Sequence, residues 1–73
     1  MRTGTFYWET EYYHPDNTFT LNDWLDNQIE ESVIITYQSG SYCEVTDAFE
    51  ESYSLSASGN GDSYSHQIEI EKL

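Results

Sequence analysis

The chain has 73 residues and a formal net charge of −12 at pH 7, from 14 Asp and Glu against 2 Lys and Arg. Arg2 and Lys72 stand near the two ends, so Thr3 to Glu71 holds no Lys or Arg. Phosphate contacts need cations, so direct binding to nucleic acid or an anionic membrane is excluded as an expectation. Seven Tyr, three Phe and two Trp are too many aromatics for a disordered acidic tail, and the length fits one small domain over 1–73.

The first stretch, "TFYWETEYYH" from Thr5, alternates. It places Phe6, Trp8, Thr10 and Tyr12 on one face of a half-buried strand and Tyr7, Glu9, Glu11 and Tyr13 on the other. His14-Pro15-Asp16-Asn17 reads as a turn, because Pro15 fixes its own φ and restricts His14. "TLNDWLDNQIEES" then predicts an amphipathic helix with Thr20 as N-cap, Asp23 at the third helical position and an end near Glu31 or Ser32. Leu21, Trp24, Leu25 and Ile29 form its buried stripe; Asp23, Asp26 and Glu30 cluster opposite, with Glu31 at their edge.

"SVIITYQ" predicts a second strand, turned by Gln38-Ser39-Gly40-Ser41 into "YCEVT", where Cys43 and Val45 face inward and Tyr42 and Glu44 outward. "DAFEES" reads as an acidic link around Phe49. "SYSLSAS" puts Tyr53, Leu55 and Ala57 on one face, and "SYSHQIEIE" puts Tyr64, His66, Ile68 and Ile70 inward, the two joined as a hairpin through "SGNGD". The order β-α-β-β-β-β predicts an α+β fold, a small mostly antiparallel β-sheet of about five strands with one amphipathic helix packed on one face.

Catalytic and metal signatures are missing from the sequence. No EF-hand spacing occurs, and "GNGDS" resembles a calcium loop only in composition. His14 and His66 lack paired ligand spacing, and the single Cys43 excludes an internal disulfide or a multi-cysteine zinc site, reading instead as a core residue. There is no nucleophile elbow or phosphate loop, and in so acidic a chain any pair of carboxylates is uninformative. The expectation is no enzyme, no cofactor and no metal. With no long apolar run and no basic and apolar leader pattern, the expected location is cytoplasmic.

The charge is the outlier. Glu9 and Glu11 alternate on the first strand and Glu69 and Glu71 on the last, about 6.6 Å apart along a face. Duplex DNA carries one charge per ~3.4 Å along each strand, so spaced carboxylates on rigid elements suit Lys and Arg pockets built for phosphates. Size, charge and α+β form resemble DNA-mimic proteins of phages and mobile elements: uracil-DNA glycosylase inhibitors, anti-restriction proteins and some anti-CRISPR proteins. No signature motif accompanies that likeness, which therefore defines a functional class.

It implies an inhibitor that occupies the nucleic-acid site of a basic protein. Glu9, Glu11, Asp23, Asp26, Glu30, Glu31, Glu44, Asp47, Glu50 and Glu51 would meet Arg and Lys, and Tyr42 and Phe49 would supply apolar anchoring. A second class of reading is an acidic adaptor or immunity protein that recognises a protein surface through exposed tyrosines. The plain alternative is an acidic surface that serves solubility alone, although a net charge of magnitude ~2–8 suffices for that.

Overall fold

The computed structural model describes residues 1–58 and 64–73. Its chain order is β1 (Gly4–Glu9), α1 (Asn17–Asp23) running into a π-helical turn (Trp24–Gln28), β2 (Val33–Ser39), β3 (Tyr42–Asp47), β4 (Ser52–Ser58) and β5 (Ser65–Lys72). The strands form one antiparallel sheet in the order β1-β5-β4-β3-β2, with the helix on one face. The α+β reading therefore holds, including the β4–β5 pairing. The "SGNGD" turn lies, apart from Ser58, outside the described residues.

Alternation explains the layers. Tyr53, Leu55 and Ala57 of β4 and His66, Ile68 and Ile70 of β5 are buried, as are Cys43 and Val45 of β3. Leu21 of α1 closes over them, with Phe6, Trp8, Trp24, Leu25 and Val33 packed around. The intervening Ser52, Ser54, Ser56, Ser58, Gln67 and Glu69 fall on the other face, which no helix covers.

Two short turns set the register of β2 to β4. Gly40 (φ 59°) and Ser41 link Ser39 to Tyr42, with Gly at the first central position as in a type II′ hairpin. Between β3 and β4 the Asp47 carboxylate Oδ1 accepts the backbone N–H of Phe49 and of Glu51, each at 2.9 Å. That turn forces Glu50 into the left-handed region at φ 63°.

The structure corrects the sequence in three places. β1 ends at Glu9 instead of running to His14, and Tyr12 is 71% exposed, not inward. There Thr10 bonds the Tyr64 carbonyl through its N–H (2.9 Å) and its hydroxyl donates to the Tyr12 carbonyl (2.9 Å), so the chain leaves the sheet. Tyr64 is likewise exposed rather than inward, lying just before β5.

The helix also starts earlier than expected, with Asp16 and not Thr20 as N-cap, accepting the Thr18 N–H at 2.8 Å. It ends earlier as well, through the π turn closed by Ile29 N–H to the Trp24 carbonyl (3.0 Å). Ile29, Glu30 and Glu31 thus lie beyond the helix.

Candidate protein-binding surface

The anticipated site residues separate into three groups. Asp23 and Asp26 lie on the helix side of the sheet, and Glu30 borders a cleft floored by Phe6, Trp24 and Ile29. Asp47, Phe49, Glu50 and Glu51 belong to the β3–β4 turn, where Glu31 comes close through the Met1 ammonium, 3.1 Å from Glu31 and 3.8 Å from Asp47. Glu9, Tyr42 and Glu44 occupy the uncovered sheet face, and exposed Glu11 follows β1.

Two of these residues are not free to meet a partner. Asp47 is buried, and its carboxylate is consumed by the turn it caps, so it is withdrawn as a contact. Asp23 is half-buried and accepts the Trp8 indole N–H at 2.6 Å and the Asn27 amide at 2.9 Å. The sequence placed it among free carboxylates because helical periodicity says nothing about Trp8. Phe49, by contrast, is 81% exposed at the tip of its turn.

The uncovered face gathers the most coherent set. The register aligns Glu71 of β5 with Ser54 of β4, and Ser54 with Glu44 of β3. Glu44 lies opposite Tyr37 of β2. One row over, Thr5, Glu69, Ser56, Tyr42 and Ser39 align in the same way. Glu9 and Tyr7 stand at the β1 end of this face.

From the strand spacings, Glu69 and Glu71 are about 6.8 Å apart along β5 and Glu71 and Glu44 about 9.6 Å apart across two strands. Glu69 and Glu71, whose alternation was visible in sequence, join the site only through this pairing. Tyr7 and Tyr37 join it in the same way.

The cations stay away from that face. Arg2 lies over the Phe6 ring (5.4 Å) and Lys72 over Tyr53 (5.4 Å) and beside Glu51 (3.6 Å), all on the helix side or at the β3–β4 end. The serines of β4 carry no charge. The face is therefore a field of one sign, with Tyr7 and Tyr37 on its two edge strands and Tyr42 within it.

Its geometry is partly fixed. The Tyr42 hydroxyl donates to Glu44 Oε2 at 2.6 Å, and the Tyr37 ring meets Tyr42 edge-on at 6.0 Å. That bond to Glu44 raises the Tyr42 pKa above its ordinary value, because losing the proton would leave two anions in contact. The same arrangement between the Tyr53 hydroxyl and Glu51 (2.9 Å) pushes Tyr53 up to about 12.

Among the described residues no group of three or more His, Cys, Asp or Glu is placed to hold a metal ion. Cys43 is buried, and burial pushes its thiol up to about 11, far from the thiolate a nucleophile needs. His66 is enclosed between the Thr10 hydroxyl (3.0 Å from Nε2) and the Thr20 hydroxyl (3.1 Å from Nδ1). No described helix is long and apolar enough to cross a membrane.

No family model matches the chain, and neither a curated protein nor a solved structure is found that resembles it.

Proposed function

We propose that the protein is a non-enzymatic acidic inhibitor that covers the nucleic-acid-binding surface of a basic protein, acting as a DNA mimic in the manner of phage or mobile-element counter-defence proteins such as anti-CRISPR or anti-restriction inhibitors. One observation carries this reading. Glu9, Glu44, Glu69 and Glu71 share an uncovered sheet face from which Arg2 and Lys72 are turned away. An array of one sign on a paired sheet has little to gain inside its own fold. Facing a basic groove, it steers association and displaces counterions as phosphates do.

Exposed Asp26 and Glu30 extend negative charge around the helix side, and Glu11 and Glu50 around the rim. The action is occupancy without turnover. A cytoplasmic setting suits such a target.

The tyrosines favour a second reading, an adaptor or immunity protein led by aromatic contacts, because Tyr7, Tyr37 and Tyr42 border the same face. One experiment separates the two. Immobilised protein captures its partner from a lysate of the source organism with and without excess duplex DNA, alongside a Glu9, Glu44, Glu69 and Glu71 to Gln variant and a Tyr7→Ala/Tyr37→Ala variant. A mimic gives one nucleic-acid-binding partner, released by DNA and lost with the Gln variant. A partner indifferent to DNA and lost only with the Ala variant refutes mimicry.

A further inference from the structure

We infer that β2 is a docking edge that accepts an extended strand of the partner, one in which aliphatic residues alternate with Lys or Arg. This rests on the reading above that the partner is basic, and specifies how that partner is held. β2 closes the sheet on one side and pairs in it with β3 alone. Its segment "VIITYQS" has no charged residue and no Pro, two of the devices by which proteins blunt an edge against added strands.

Beyond Val33, which packs on the core, the apolar side chains of this edge are exposed on both faces. Ile34 (71% exposed) and Tyr37 (52%) lie on the open face, and Ile35 (45%) lies toward the helix side, where α1 packs mainly on β4 and β5 and meets β2 through the Gln38 amide, which donates to Asn22 Oδ1 at 3.1 Å. The opposite edge is different: the Phe6 and Trp8 side chains of β1 pack against Trp24, at 5.1 and 5.3 Å between ring centroids. One added strand would cover both faces of β2 together, since its side chains alternate.

Charge decides which strand. On the open face an incoming residue beside Tyr37 enters the row Tyr37, Glu44, Ser54, Glu71. A Lys or Arg there would lie across the Tyr37 ring and point toward Glu44, its neighbour's carboxylate. On the helix side the same strand needs an aliphatic residue to cover Ile35. A second copy of this chain would bring two fields of net charge −12 together, so self-pairing is disfavoured.

The edge is also segmented. A bulge falls between Ile35 and Tyr37, where the Thr36 hydroxyl donates to the Glu44 carbonyl at 3.2 Å. It leaves two short pairing stretches, 33–35 and 37–39, which suits a short strand better than a long sheet contact.

The test uses isotope-labelled whole protein and an acetylated seven-residue peptide of alternating Lys and Val, at physiological salt. The control peptide is identical but N-methylated at every residue, so it keeps its charge and cannot donate backbone hydrogen bonds. The docking edge requires that the amides of 33–39 not bonded to β3 shift and gain exchange protection with the first peptide only. Ile34→Lys, checked for folding by circular dichroism, should weaken that binding roughly fivefold, the upper range for a cross-strand pair.

Equal binding of both peptides overturns strand pairing while leaving the attraction to basic partners intact. Response to neither peptide overturns the docking edge, and competition by DNA then decides the basic-partner reading separately. Protection of β2 that grows with protein concentration in the absence of peptide overturns it in favour of self-association.

Discussion

The Trp8 indole donates its N–H to Asp23 Oδ2 at 2.6 Å, joining the inward face of β1 to the end of α1 across fifteen positions of sequence. Asp23 is thereby a structural carboxylate, as Asp47 is in the β3–β4 turn. Removing it strands a half-buried donor. Asp23→Ala is expected to lower stability by about 2 kcal/mol, the scale of a hydrogen bond to a charged group, measured by urea denaturation. Asp26→Asn, at an exposed neighbouring acid, should leave the midpoint nearly unchanged.

His66 is the second polar tie between the layers. The Thr10 hydroxyl spends its proton on the Tyr12 carbonyl, so it accepts from Nε2–H, and Nδ1 pairs with the Thr20 hydroxyl at 3.1 Å. Both ring nitrogens are satisfied in a buried position. His66→Ala loses these bonds and leaves a cavity, with an expected cost of about 3 kcal/mol. Thr20→Val keeps the volume but leaves Nδ1 unpaired; it should cost less than the alanine change in the same denaturation assay.

Glu50 holds a backbone conformation that suits glycine, φ 63°. Glu50→Gly should relieve the side-chain conflict and stabilise the domain by about 1 kcal/mol, after the entropy that glycine adds to the unfolded chain. A higher urea midpoint with an unchanged m value checks it. A lower midpoint would mean that the Glu50 side chain contributes more to the turn than its geometry shows.

Alkaline pH should weaken the fold. Cys43 is raised from 9.0 to about 11 by burial, and Tyr53 from 10.0 to about 12 by its bond to Glu51. Groups whose folded pKa lies above the unfolded value bind more protons in the native state once the unfolded chain begins to ionise. Stability is therefore fully present below about pH 9 and declines as pH climbs through 9 to 12. Thermal melts over that range should show the decline, and Cys43→Ser should remove the part that begins near pH 9. At pH 8 the native thiol should resist a disulfide reagent and react fully in denaturant.

Salt should do the reverse. Glu71 lies within about one Debye length of both Glu44 and Glu69 at 0.1 M ionic strength, with no Lys or Arg on their face among the described residues. Added sodium chloride is expected to raise the melting temperature and then level off. Glu69→Gln combined with Glu71→Gln should raise the low-salt melting temperature and flatten the salt response; an unchanged response would place the repulsion elsewhere.

Sequence by itself determined the inner strands and the sign of the surface. Alternation in "SYSLSAS" and "HQIEIE" is a property of neighbouring residues, and a pleated strand translates it directly into an inner and an outer face. The exclusion of Lys and Arg from Thr3 to Glu71 is likewise a matter of composition, independent of folding.

Tertiary structure decided the rest. Periodicity placed Leu21, Trp24 and Leu25 on one apolar side, but not the start of the helix at Asp16 or the π turn at Trp24–Gln28, which move Thr20 against His66 and leave Glu30 and Glu31 beyond the helix. Short-range pattern also could not separate Asp23 and Asp47, committed to an indole and a turn, from Glu44 and Glu71, which strand register brings onto one open face. A carboxylate's availability depends on which distant donors reach it, and those distances are set only when the sheet is paired and the helix has docked.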